Sequence, residues 1–211
     1  MLELTFLHID PDFLVVDKPG GLLAVPGRGP DKQDCVVSRV KALYPDCIKQ
    51  PAVHRLDMYT SGIMILARSK EAHRRLSIQF EQRLVKKEYT ALLDGLLDHD
   101  KGLIELPFRL DTDNRPLQIY DPIHGKTGIT RWRKLSENRK TTRVLFLPLT
   151  GRTHQLRVHA AHPLGLGVPI VGDTLYGRGK EGGQMFLHAS FLSVLHPFSE
   201  QNMDFSSEPS F

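Results

Sequence analysis

Asp57 stands in the densest polar stretch of the chain, "HRLDMYTSG" over residues 54–62, behind His54 and Arg55 and ahead of Thr60, Ser61 and Gly62. A carboxylate beside an arginine stays ionised, because the cation favours its charged form. An ionised aspartate suits a nucleophile or an electrostatic stabiliser rather than a general acid. The stretch holds no second acid, and the usual hydrolysis of a glycosidic bond needs two carboxylates. The same residues also suit a turn, since Asp, Thr and Ser tie down backbone amides ahead of the strand-like run GIMILAR. Spacing alone leaves both roles open.

A second polar cluster is TGRTHQLRVHAAH, residues 150–162, with Arg152 five residues before Arg157. As a strand it puts Arg157 and His159 on one face and Leu156 and Val158 on the other, the pattern of a cleft wall. His154, His159 and His162 follow an H-x4-H-x2-H spacing that matches no zinc signature, so no metal is expected. Tyr89, in VKKEYTALLDG (85–95), is either a half-buried strand residue or a ring that stacks on a base while its hydroxyl moves a proton. The turn DKPGGLLAVPG (17–27) lacks both the GxxxxGK[ST] and the GxGxxG frame. No nucleotide cofactor is therefore expected, and backbone geometry accounts for the turn itself.

The elements that position these residues follow from hydrophobic patterning. Strand-like runs are LELTFL, DFLVVDK, GIMILAR, EYTALLDG, RVLFLPL, QLRVHA and MFLHASFLSVL, rich in Val, Ile, Leu and Phe and bounded by Gly, Pro or Asp. Two segments read as helices. DCVVSRVKALYP has Asp34 as N-cap and a stripe of Val36, Val37, Val40 and Leu43. SKEAHRRLSIQFEQRL has Ser69 as N-cap and Ala72, Leu76, Phe80 and Leu84 four residues apart. Many strands, few helices and no βαβ alternation predict an α+β fold: a mixed, largely antiparallel sheet with flanking helices. Residues 25–34 and 177–184 are glycine-rich charged loops.

The 211 residues suit one domain or one domain of two lobes, and 40% hydrophobic content allows a real core. No apolar run approaches the roughly 20 residues of a membrane helix. The N-terminus, MLELTFLHIDPDF, reads as a strand and turn rather than a signal peptide, which points to a reducing, intracellular setting. Cys35 and Cys47 fit no framework pattern and are expected to be plain thiols. Net charge is +4 and the pI is near 9.1. The basic residues concentrate in 68–88 and 126–143, whereas the last twelve residues, EQNMDFSSEPSF, carry no lysine or arginine. Two basic segments fit an anionic polymer as partner and equally a solvated, salt-bridged surface.

Together these pieces resemble the RluA-type pseudouridine synthases. HRLDMYTSG (54–62) is similar to that family's HRLDxxTSG signature, KPGGL (18–22) to its opening turn, and KKEYTA (86–91) to its KxYxA segment. GRTHQLRVH (151–159), PIVGDTLYG (169–177) and LHASFLSVLHP (187–197) resemble its later signatures. The motifs are ordered and span residues 18–197, and the pattern looks closest to the short members that act on both ribosomal and transfer RNA. The resemblance implies a sheet with flanking helices and a central active-site cleft. Residues 1–199 would be the catalytic domain, with no separate N-terminal RNA-binding domain, and 200–211 an acidic tail. It implies isomerisation of uridine to pseudouridine without metal or cofactor. Asp57 would be the catalytic aspartate, Tyr89 the conserved tyrosine and Arg157 the arginine that pairs with the aspartate. Arg55 would help displace the target base, and His54, Arg152, Arg74 and Arg75 would bind RNA. Flipped bases in loops of ribosomal or transfer RNA are the implied targets, and the enzyme would be a cytoplasmic monomer, not attached to a membrane. Two competing readings are an RNA-binding or RNA-folding protein with secondary or lost catalysis, and a nucleoside or glycoside hydrolase.

Overall fold

The computed structural model describes residues 3–211. In chain order the strands are β1 (Thr5–Ile9), β2 (Phe13–Lys18), β3 (Ser61–Ala67), β4 (Lys86–Leu93), β5 (Lys101–Leu110), β6 (Gln118–Tyr120), β7 (Lys126–Glu137), β8 (Thr142–Pro148), β9 (Leu187–Leu195) and β10 (Asn202–Ser206). The α-helices are α1 (Val36–Leu43), α2 (Lys70–Glu81) and α3 (Gln155–Ala161). The chain folds as two compact units, one of residues 3–87 and 188–210, the other of residues 88–187 and 211. The pairing in both is largely antiparallel, and with three helices the fold is α+β, as the patterning predicts.

In the first unit the strand order is β1-β2-β3-β9, with β10 on the far side of β9. Only β3 and β9 run parallel there. Phe13 to Val16 and Met64 to Ala67 are fully buried, which explains why both strands read as apolar runs rather than alternating patterns. Helix α2 lays Ala72 and Leu76 against Phe13, Val15, Ile63 and Ile65. Its start is fixed by Ser69, whose Oγ accepts the Ala72 N–H at 3.1 Å, a cap worth about 1 kcal/mol. Leu84 does not extend the stripe. The helix stops at Glu81, Arg83 turns left-handed at φ 60°, and Leu84 is left exposed. Helix α1 is capped one residue later than expected. The Cys35 Sγ accepts the Ser38 N–H, the Ser38 Oγ accepts the Cys35 N–H, and Asp34 instead binds Arg39. Its Leu43 is exposed rather than buried. Both cysteines are free thiols.

Part of the acidic C-terminal stretch is a strand. In β10, Met203 and Phe205 alternate with polar residues and pack on the core of the first unit, the period of a half-buried strand.

In the second unit the order is β4-β8-β7-β5-β6, antiparallel throughout. Strands β5 and β7 do not read as apolar runs because charged residues occupy one face, and β6 is only three residues long. In β7, Thr130 and Trp132 are buried while Arg131 and Arg133 are exposed. The expected strand QLRVHA is helix α3. All of Gln155 to Ala160 are buried, so the segment shows no amphipathic stripe that could separate helix from strand. Among the described residues no helix is long and apolar enough to cross a membrane.

Candidate active site

In the first unit the polar stretch 54–62 forms a turn that feeds β3. Asp57 is half-buried, and its carbonyl accepts the Thr60 N–H at 3.1 Å. The turn is anchored from beneath by Lys18. This fully buried side chain donates its three N–H groups to Pro19 O (2.9 Å), Leu22 O (2.8 Å) and Met58 O (3.0 Å). Three carbonyl acceptors match the three donors of an ammonium. Burial pushes the Lys18 pKa down to about 7, and the negative charges of Asp57 and Asp17 pull the other way. Gly21 also donates its N–H to Met58 O at 2.9 Å, so the Pro-Gly-Gly turn and the aspartate turn are tied together. Sequence reasoning explained that first turn by backbone geometry alone and missed Lys18. A lysine closing a buried apolar strand was the available signal.

The exit of the turn is equally fixed. Gly62 has φ +107° and lies so close to Ala189 that a Cβ would stand 2.3 Å from its carbonyl oxygen. Ser61 Oγ meets His188 Nδ1 at 2.9 Å, His188 Nε2 meets Ser207 Oγ at 3.1 Å, and Ser207 Oγ in turn donates to Asp17. Burial lowers the His188 pKa, opposed by Asp17. His54 is a supporting residue in this geometry. Its ring stacks on Phe80 (4.6 Å between centroids) and its Nε2 accepts the Ile65 N–H at 3.0 Å. Burial pushes its pKa down to about 3, so it is neutral. Arg55 is exposed beside it.

Arg74 and Arg75 both bind Glu71 at 2.7 Å. Arg75 also donates to Pro197 O at 3.0 Å and lies over the Phe198 ring. Elsewhere in this unit Asp10, Asp12 and His196 bring possible ligand atoms within 4.8 Å of one another. The His196 Nδ1 accepts the Phe198 and Ser199 N–H groups. Its proton therefore sits on Nε2, which faces Asp10 at 3.6 Å and has no lone pair for a metal.

In the second unit Tyr89, half-buried, shares a cross-strand row with Phe146 of β8, Trp132 of β7 and Gly102 of β5. Helix α3 covers the same face. Its Gln155 donates to Thr130 Oγ1 at 2.9 Å and to Ile129 O at 3.1 Å, and Thr130 projects on the same side as Trp132 two residues on. Tyr89 and Arg157 are therefore borne on one side of this sheet. Arg157 is 3% exposed and is gripped by Asp173, Nε to Oδ2 at 2.8 Å and Nη2 to Oδ1 at 2.7 Å. Burial alone would raise the Asp173 pKa, but the hydrogen bonds and charge of Arg157 outweigh it and hold the carboxyl below its usual value. Asp173 Oδ1 also accepts the Leu175 and Tyr176 N–H groups. The Arg157 guanidinium lies over the Tyr176 ring, and Tyr176 Oη meets His154 Nδ1 at 2.8 Å.

The segment PIVGDTLYG thus supplies the clamp that orients Arg157, a role the sequence did not reveal. Because α3 is a helix, Arg157 and His159 lie about 200° apart rather than on one face. His159 instead meets Phe108 edge-on, fully buried, with neither ring nitrogen hydrogen-bonded. Arg152 is exposed on the loop before α3.

A site built this way offers one carboxylate on a rigid turn, and separately a ring and a clamped guanidinium on one sheet face. That inventory suits electrostatic and nucleophilic chemistry rather than two-acid hydrolysis. A family model described as RNA pseudouridylate synthase matches residues 12–162. The dual-specificity RNA pseudouridine synthase RluA of Pasteurella multocida is 43% identical over 212 residues, covering 99% of this chain and 94% of that protein. Its Escherichia coli K12 counterpart is 39% identical over 214 residues, with the same coverage of 99% and 94%. Among solved structures, human RNA Pseudouridylate Synthase Domain Containing 1 superposes with a TM-score of 0.78 at 30% identity, covering 99% of this chain and 84% of that one. With its motifs carried at the head of β3, on β4 and on α3, the chain belongs to the RNA pseudouridine synthases, isomerases that convert uridine in RNA to pseudouridine.

Proposed function

We propose that the chain isomerises specific uridines in stem-loops of both ribosomal and transfer RNA, as a monomer in the cytoplasm. The observation that carries this reading is similarity over nearly the whole length to enzymes named for dual specificity. In the reaction the N1–C1′ bond of the target uridine breaks, the uracil turns, a C5–C1′ bond forms, the C5 proton leaves and N1 takes up a proton. No water is added and no electrons are exchanged, so one ionised carboxylate suffices. Asp57 acts at C1′ or C2′ of the ribose, and Arg157 keeps it charged and aimed, a preorganisation effect. Tyr89 stacks on the uracil and helps move the C5 proton. Arg55, exposed next to the aspartate turn, helps hold the base out of its stack. Arg152, Arg74 and Arg75 complete the RNA contacts, while His54 braces the turn through Phe80 and the Ile65 N–H.

This assignment is supported by the rigidity of both anchors: the Lys18 cage under the aspartate turn and the Asp173 clamp on Arg157. The test is a map of pseudouridines in ribosomal and transfer RNA from cells with and without this protein. Positions lost from both classes of RNA support dual specificity. Loss from one class alone contradicts it. Sedimentation at other than the 23.9 kDa of one chain contradicts the monomer.

A further inference from the structure

Resting on RNA as the substrate, we infer that the solvent-facing side of the β5–β7 ribbon in the second unit is a docking surface for RNA phosphates, formed by Lys101, Arg131 and Arg133. The structure sorts the cations of the chain by what they touch. Arg39 binds Asp34, Arg68 binds Asp46, Arg74 and Arg75 bind Glu71, Arg109 binds Asp121, and Lys134 binds Glu137. Among the described residues, Lys101, Arg131 and Arg133 make no such ion pair, and all three are exposed.

Their placement is specific. Arg131 and Arg133 flank the buried Trp132, so both project to the outer face of β7. The register sets Arg133 directly opposite Lys101 of β5, and Arg131 opposite Leu103, which is 53% exposed. Like charges directly opposite one another weaken a sheet. Folding gives no reason for the Lys101–Arg133 pair, whereas an anion bound over it does. Glu105, one step along β5, is the single acid on that stretch of the face. The two-residue step of a strand spaces the two arginines by about 6.8 Å, and each guanidinium fork can take a phosphate bidentately. The exposed Leu103 leaves the surface flat and partly apolar beside the charges, which suits a strand of RNA running across the ribbon.

The test uses the whole protein and fluorescein-labelled total tRNA as probe, with affinity measured across a salt series. If Arg131 and Arg133 each contact a phosphate, Arg131→Gln/Arg133→Gln makes the slope of log affinity against log salt shallower by about 1.4 to 1.8. The wild-type advantage then shrinks about sevenfold to twelvefold between about 50 and 200 mM salt. Turnover at saturating RNA stays within twofold. Lys101→Gln alone shifts the slope by about half as much. Arg39→Gln/Arg109→Gln removes the same charge at ion-paired positions and leaves the slope in place.

An unchanged slope in the Arg131/Arg133 variant overturns the proposal and leaves an acidic protein surface as the occupant. An equal shift in the control variant overturns it too, since the effect is then one of net charge. Tritium release from C5-labelled RNA by the wild-type preparation separates the two readings. Without release the substrate reading fails, and with release but unchanged slopes only the docking surface fails.

Discussion

Asp173→Asn removes one charge from a pair that is almost wholly buried, with side-chain exposures of 3% for Arg157 and 1% for Asp173. The amide keeps the shape and can still accept one hydrogen bond. It removes the charge that Asp173 sets against the buried guanidinium across two bonds of 2.7 and 2.8 Å. Breaking one side of a buried ion pair costs about 3–5 kcal/mol, about a fifth or more of the stability of a typical domain. With a urea dependence of about 2–3 kcal/mol per molar, the midpoint falls by about 1–2.5 M. The assay is urea unfolding followed by fluorescence of Trp132, the single tryptophan, which is buried in the same unit. The pH dependence sharpens it. A carboxyl whose pKa is lowered by folding contributes stability above its ordinary value near 3.9, and that stability is lost as pH falls through the folded value. The gap between wild type and variant is therefore constant from about pH 5 to 8 and closes below about pH 4. Replacing both residues by leucine recovers part of the loss, because neither charge of the pair is then stranded, although the Leu175 and Tyr176 N–H groups lose their acceptor; turnover stays lost. A penalty under about 1 kcal/mol, or a gap that persists undiminished at acid pH, would refute the clamp.

Two further outcomes follow from the same geometry. Gly62→Ala forces a Cβ to within 2.3 Å of the Ala189 carbonyl at a φ of +107°. Strain alone costs about 1–3 kcal/mol, and parting β3 from β9 adds to it, so chemical denaturation should show a loss of about 3 kcal/mol or more. His159→Leu removes two buried ring nitrogens that make no hydrogen bond and should raise stability at neutral pH by about 1 kcal/mol. Burial holds the His159 pKa down at about 4. Wild-type stability therefore declines as pH falls from about 6.5 to about 4, by about 3 kcal/mol from this residue, and the leucine variant lacks that part of the acid limb in a pH series of melts.

The sequence made the first unit legible where burial was complete or helical phase was clean. FLVV and IMIL are buried on both faces, and Ser69 with Ala72 and Leu76 marks the start and inner face of α2. It failed where the deciding partner lies far along the chain. QLRVHA is a helix because its neighbours enclose it on all sides, which erases the periodicity that would have announced it. KTGITRWRKLSE looked like a basic segment because its charges crowd one face, hiding the strand in the alternation of Gly128, Thr130 and Trp132. The aspartate turn, Tyr89 and Arg157 were singled out by residue type and motif. Lys18 and Asp173, which hold two of them in place, were not, since the carbonyl cage and the buried clamp exist only once distant segments meet. The cap of α1 moved from Asp34 to Cys35 because Arg39 claims the aspartate.

The central claim is that Asp57 carries an isomerisation. The most direct measurement is tritium release from RNA labelled at uridine C5, taken from cells lacking the protein, with wild type and Asp57→Asn side by side and free uracil assayed in the same tubes. The account predicts release by wild type, none by Asp57→Asn despite near-normal RNA affinity, and no free uracil from either. Substantial release by Asp57→Asn, or uracil accumulating with wild type, would contradict it.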